Sequence, residues 1–269
     1  MKFILCSLVL IVRFCSVLAQ SHTAEKTDNF FFSTAQNDQT HSPFDAIGNS
    51  AVVTQKKGMY WGAMVVNAFL MKELTQVVLA GDYLSDQLKA GLWMSHYGME
   101  TFSSNEFNLW ASKKLSADAT FGVAFHGRNY RCGVAKSKHQ IAASLGGQLR
   151  FTSVCKVGFS IDDLVSTFMQ EKINNNPGRI KMGVCYSLSK ETDLIIDAYK
   201  VRSAPPAFCL AISYRLSDVF KLSGAYESAS HQLHLSIGLK HKKTAIIFQV
   251  QYHPMLGFSP GTILSNQTF

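Results

Sequence analysis

The chain has 269 residues, of which 47% are hydrophobic and only 16% charged, with a formal net charge of +8. A typical soluble domain carries about 25% charged residues, so this composition argues against a charged soluble surface. The basic excess falls in short clusters, Lys56-Lys57, Lys113-Lys114 and Lys240 to Lys243, with no nucleic-acid motif, which excludes a nucleic-acid partner.

The N-terminus reads as a secretory signal peptide. Lys2 precedes an uncharged run from Phe3 to Val12, and the small-residue site Val17-Leu18-Ala19 stands before Gln20. Cleavage is expected between Ala19 and Gln20. Removing residues 1–19 takes away Lys2 and Arg13, leaving 24 basic and 18 acidic residues, a net +6. Residues 20–57 form an N-terminal periplasmic leader. Gln20 to Thr40 is polar apart from Phe30-Phe31-Phe32. Ser42 to Gln55 is different, with Phe44, Ala46 and Ile47 before Gly48-Asn49 and Ala51-Val52-Val53. It has the makings of a small plug entering a barrel mouth.

From residue 58 to 269 the pattern has period two. Ile180, Met182, Val184, Tyr186 and Leu188 alternate with Lys181, Gly183, Cys185, Ser187 and Ser189. Leu233, Leu235, Ile237 and Leu239 alternate with Gln232, His234, Ser236 and Gly238. Successive side chains on a strand point to opposite faces, so each segment has one apolar face and one small or polar face. Segments of about ten residues suit tilted membrane-spanning strands. No mature stretch suits a membrane helix: the longest uncharged one, Gly58 to Met71, falls short of the ~18 residues needed. The expected fold is all-β, a transmembrane antiparallel up-and-down barrel of about 14 strands (range about 12 to 16). The strands are expected near 59–69, 75–84, 86–97, 104–113, 118–130, 138–149, 153–161, 179–188, 192–200, 207–215, 219–227, 231–240, 243–253 and 258–269.

The breaks sort by parity. Lys114 to Asp118, Ser187 to Glu191 and Arg215 to Asp218 are tight and follow even-numbered strands. Arg131 to Ser137, Asp162 to Gly178 and Val201 to Pro206 are longer and follow odd-numbered ones. Short turns of such barrels face the periplasm, so both termini are expected there, in a bacterial outer membrane. Aromatics near strand ends, among them Tyr60, Trp61, Trp110, Tyr199, Tyr214 and Tyr252, are expected in head-group girdles. Terminal Phe269 is expected to be part of the assembly signal. Leu164 to Lys172 is expected to form a short helix in the longest connection.

Chemistry-bearing motifs are sparse. There is no G-x-S-x-G elbow, no HExxH and no phosphate-binding loop, so an enzyme is not expected. His231 and His234 are three apart, on opposite faces of a strand, and cannot share a metal. Asp162-Asp163 is a candidate cation site or a solvated loop pair, the latter being the commoner state of acids. Cys132, Cys155, Cys185 and Cys209 form no CxxC pair and their spacing supports no disulfide. The inward face offers Lys181, Asp197, His234, Gln249 and Gln251 as lumen-lining candidates. No cofactor or metal is implied.

Three stretches carry a family resemblance: Phe69-Leu70-Met71-Lys72-Glu73-Leu74, the hairpin phrases Lys114-Leu115-Ser116 and Arg215-Leu216-Ser217, and Tyr252 to Pro260. The chain resembles the PorV/PorQ-like outer-membrane proteins of Bacteroidota, which share their architecture with the FadL fatty-acid transporter. The resemblance implies a non-enzymatic barrel serving type IX secretion. Its alternative implication is a FadL-like passive transporter of small hydrophobic molecules. The partners implied are outer-membrane lipids, secretion-system or envelope proteins, and a hydrophobic solute.

Overall fold

A computed structural model describes residues 33–36, 42–52, 57–99, 102–132, 137–164, 178–201 and 204–266. Ala19, Gln20, the Phe30–Phe32 cluster and Phe269 lie outside these residues, as does most of Leu164 to Lys172. Fourteen antiparallel strands close into one barrel in simple up-and-down order. They are β1 (Gly58–Asn67), β2 (Thr75–Leu84), β3 (Leu88–Gly98), β4 (Phe102–Lys114), β5 (Ala119–Cys132), β6 (Lys138–Arg150) and β7 (Cys155–Asp162). The circuit continues through β8 (Arg179–Ser187), β9 (Thr192–Val201), β10 (Ala207–Arg215), β11 (Phe220–Glu227), β12 (Gln232–His241), β13 (Thr244–His253) and β14 (Gly257–Ser265). One helical turn, α1 (Asp45–Gly48), precedes them.

The period-two pattern sets which face is which. Met59, Trp61 and Val65 are exposed on β1 while Tyr60, Met64 and Val66 are buried. Leu233, Leu235, Ile237 and Leu239 are all exposed on β12. A belt of exposed aliphatic and aromatic side chains thus covers the outside, and closure removes the edges a bilayer would not tolerate. β14 pairs with β1 from Gly261 to Ser265 only. Pro260 stands just past that ladder, where its missing N–H costs no bond to β1.

Strand length is uneven. β4, β5 and β6 have 13, 14 and 13 residues, while β7 and β11 have 8. The wall is therefore tallest on the β4–β6 flank. β1 begins and β14 ends at the same end of the barrel as the short turns. Four of those turns repeat one device. Ser116, Thr152, Ser189 and Ser217 each accept two backbone N–H bonds from residues two and three ahead, at 3.0–3.3 Å. The residue before each hydroxyl, Leu115, Phe151, Leu188 or Leu216, is exposed and extends the outward apolar row to the turn. A hydroxyl that satisfies its own turn's amides lets the chain reverse in four residues.

Several sequence expectations need correction. The first strand stops at Asn67, not 69, because Phe69 and Leu70 both take left-handed backbone angles, φ 56° and 59°. Tyr60 and Trp110 are buried on the inward face and do not join a girdle. Tyr199 also points inward, where its hydroxyl donates to Glu227. Trp61, Tyr214 and Tyr252 are exposed on the outer wall. Asp163 is buried and pairs with Arg128 at 2.9 Å, whereas Asp162 stays partly exposed and pairs with Lys181 at 3.0 Å.

Candidate functional site

Among the described residues, buried polar side chains converge in the lumen. Residues 33–36 and 42–52 lie against the inward faces of β1–β9. Phe44, 1% exposed, packs over Gly62 and joins a cluster with Met64, Val66, Val78, Trp93 and Trp110. Elsewhere the contact is backbone on backbone. A Cβ at Gly158 would collide with the Thr34 carbonyl, and one at Gly122 with the Ser50 carbonyl. Glycine at these inward positions is what lets the segment lie flat on the wall.

Directional bonds fix the segment in register. Thr34 donates both its hydroxyl and, at 3.2 Å, its N–H to Asp197 Oδ1. Asn49 Nδ2 donates to the Thr34 carbonyl at 2.7 Å and the Gly147 carbonyl at 3.1 Å, while Asn49 Oδ1 accepts from Ala51 N–H at 2.9 Å. Gln148 Nε2 and Lys156 Nζ both donate to the Gln36 carbonyl, at 2.9 and 3.3 Å. Lys181 Nζ donates to the Gly48 carbonyl at 3.1 Å. Lys89 Nζ reaches the Val52 carbonyl at 3.4 Å, pairs with Asp82 at 3.3 Å and lies 4.9 Å from the Trp110 ring centroid. A fully buried ammonium needs such compensation on every side.

A second network occupies the tall flank. Arg128 bridges Glu106 at 2.7 Å and Asp163 at 2.9 Å. Asp163 N–H and His126 Nε2 both contact Ser144 Oγ, at 3.1 and 2.7 Å. Asn108 Nδ2 bonds His126 Nδ1, so the ring proton sits on Nε2 and is donated to Ser144. The network ties the start of the long connection after β7 down onto the inner wall, with Asp163 in a left-handed conformation, φ 53°.

The inner wall from β9 to β13 differs. Ser213, Ser223, Ala225, His234, Ser236 and Gln249 point inward and stay half-exposed. Ala207, Cys209, Ala211, Ala245 and Gln251 on the same wall are buried, so among the described residues this flank keeps solvent access only at its half-exposed positions.

The five lumen candidates from sequence are thus divided among three settings. Lys181 and Asp197 hold the N-terminal segment. Gln251, 4% exposed, is bonded to Gln232 on the neighbouring strand. His234 and Gln249 line the open flank. His231 lies in the turn before β12, exposed and bonded to the Tyr226 hydroxyl at 2.8 Å. Sequence reasoning missed Lys89, Glu106 and Arg128. Arg128 was findable, since Phe121, Val123 and Phe125 set the outward phase of β5 and put residue 128 inward. Glu106 and Lys89 were harder, because inward Trp93 and Trp110 blur the alternation of β3 and β4.

No protein-family model matches the chain, and no curated protein matches it. Solved structures do. The monoaromatic hydrocarbon channel CymD superimposes with a TM-score of 0.58 at 11% identity, over 86% of this chain and 94% of that one. The outer-membrane protein Omp33 of Acinetobacter baumannii gives 0.55 at 6% identity, over 80% and 99%. The toluene transporter TodX of P. putida gives 0.52 at 9% identity, over 79% and 90%. The likeness is one of fold: this chain is similar in architecture to outer-membrane channel barrels. None of the three is a PorV/PorQ protein.

Proposed function

We propose that the protein is a passive outer-membrane channel for small hydrophobic molecules, with its N-terminal segment as a lumen plug. One observation carries this reading: among the described residues the segment packs mainly against β1–β9, while inward Ser213, Ser223, His234, Ser236 and Gln249 of β10–β13 keep solvent access. A purely structural barrel has no need of a half-filled lumen, whereas a slow, selective conduit does. Ile195 and Ala225 supply apolar surface on the accessible side, and small neighbours such as Ser223 and Ser236 leave room for a ring-sized solute. The likeness to CymD, a monoaromatic hydrocarbon channel, and TodX, a toluene transporter, favours transport over the secretion role implied by the sequence resemblance. The short turns and both chain ends face the periplasm in this reading.

The test is uptake into proteoliposomes. Purified protein in vesicles should admit toluene faster than empty vesicles do, and Ser236→Phe, which fills the accessible flank, should return the rate toward the empty-vesicle value. Equal rates with and without protein would overturn the proposal.

A further inference from the structure

The outer wall of the tall flank holds a recess that the channel reading does not use. Register places outward side chains in rows across β2–β6. One row runs Val77, His96, Asn105, Asn129, His139. The row on its short-turn side runs Leu79, Met94, Phe107, Gly127, Ile141. Gly127 leaves a gap in that second row, between Phe107 and Ile141, which is 82% exposed. A Cβ there would meet nothing nearer than the Phe107 carbonyl at 4.0 Å. The resulting cavity, about 600 Å³, is lined by these two rows. That volume is within the range of small-molecule sites.

The chemistry is layered. The lower row is apolar and the upper row, Val77 apart, is polar. His96 Nδ1 and Asn105 Oδ1 are 2.8 Å apart, which fixes the imidazole. Asn129 Oδ1 is buried without a hydrogen-bond partner among the described residues. Arg131, exposed, is the next outward residue on β5. Height matches the layering. Asn129 is ten residues above Ala119, about 33 Å along the strand and about 25 Å along the axis at a ~40° tilt, which is the top of the apolar band of such barrels.

We propose that the recess binds one anionic phosphorylated lipid of the surrounding bilayer. Its acyl chain lies over Gly127 between Phe107 and Ile141. Its phosphate sits by His96, His139 and Arg131, and a head-group hydroxyl donates to Asn129 Oδ1. Charge selects the occupant: two imidazoles and a guanidinium at head-group level favour an anionic phosphate over a neutral solute, and the lower row matches a hydrocarbon tail. The proposal rests on the membrane-spanning part of the functional reading, not on transport.

The experiment reconstitutes the full-length protein in vesicles of equal phosphatidylglycerol and phosphatidylcholine, re-extracts it in mild detergent and counts retained lipids by native mass spectrometry. The wild type should keep one phosphatidylglycerol. Gly127→Leu should lower that occupancy at least tenfold, and the triple variant His96→Gln, Arg131→Gln, His139→Gln should abolish the preference over phosphatidylcholine. Flotation with the vesicles and a normal heat-shift in gel mobility show that each variant is inserted and folded. Retention unchanged in Gly127→Leu, or no lipid kept by the wild type, overturns the lipid site and leaves the channel reading intact. Failure of the wild type to float would overturn both.

Discussion

Asp197→Ala should unlatch the N-terminal segment without unfolding the barrel. Asp197 is 4% exposed and accepts from both the hydroxyl and the N–H of Thr34. A hydrogen bond to a charged group contributes about 1.5–3 kcal/mol, and a buried donor left without a partner costs about 1–3 kcal/mol. The Thr34 hydroxyl can rotate to another acceptor, so we take one bond, about 1.5–3 kcal/mol, as the shift in docking free energy. At 1.4 kcal/mol per tenfold, that raises the undocked fraction about 10- to 150-fold. Ala35, 0% exposed, is the reporter position. In a background with every native cysteine replaced by alanine, Ala35→Cys should react with a water-soluble maleimide at a rate set by the undocked fraction. Asp197→Ala should accelerate that labelling at least tenfold. Thr34→Val should do nearly as much, and the double variant should add little, because both remove the same bond. The β9–β10 ladder should hold, since its backbone bonds do not involve the Asp197 side chain. A labelling rate changed less than threefold by either single variant would refute the latch. So would full additivity in the double variant.

Arg128→Met leaves Glu106 and Asp163 facing each other in a buried site, so it should destabilise the barrel by about 3–5 kcal/mol. Adding Glu106→Gln to it should recover part of that loss, read as the temperature at which heat-modified gel mobility is lost. Ser189→Ala removes an acceptor for two turn amides at 3.1 Å and should cost about 0.5–1.5 kcal/mol on the same assay. Replacing Ser116, Thr152, Ser189 and Ser217 together should give close to the sum, as the four turns are separate. Gly158→Val should expel the segment from β7 and speed Ala35→Cys labelling, with strand content by circular dichroism unchanged. Leu235→Phe, on the outward face beside Ser236, should leave toluene uptake at the wild-type rate.

The barrel was legible because its information is local and periodic. On β12 the outward positions from Leu233 to Leu239 are all leucine or isoleucine and every inward one is small or polar, so phase and face can be read together. The turns were legible for the same reason: Leu115-Ser116, Leu188-Ser189 and Leu216-Ser217 recur at matching places. Legibility fails where tertiary contact overrides pattern. Trp93 and Trp110 look like girdle or lipid-facing residues until Phe44 is found packed on them. Phe69 and Leu70 continue the apolar pattern of β1 but leave the strand, because Phe69 N–H bonds Ser259 Oγ at 2.9 Å and its ring meets His253 edge-on at 6.1 Å. Both partners lie almost two hundred residues away in sequence. The lumen residues show the limit most plainly. Periodicity places Asp197 and His234 on the same inward face, yet it cannot say that one holds Thr34 and the other faces water.

That difference follows from the glycines. Gly62, Gly122, Gly146, Gly158 and Gly183 all stand on inward positions of strands the segment touches. Between β10 and β14 many inward positions carry Ala, Ser or Cys alongside Gly238 and Gly261, interspersed with larger polar groups such as Lys221, Glu227, His234 and Gln249, and Gly224 of β11 points outward. Inward glycine accommodates a backbone, whereas inward alanine or serine leaves a shallow wall, and the described residues of the N-terminal segment make most of their contacts on the glycine side. A barrel under no demand for a lumen would fill the second wall with larger side chains, since every buried methylene adds about 0.8 kcal/mol. Keeping it small forgoes that stability. The asymmetry is therefore the part of the molecule that a purely structural role leaves unexplained, and it is where solute passage is placed by the proposal.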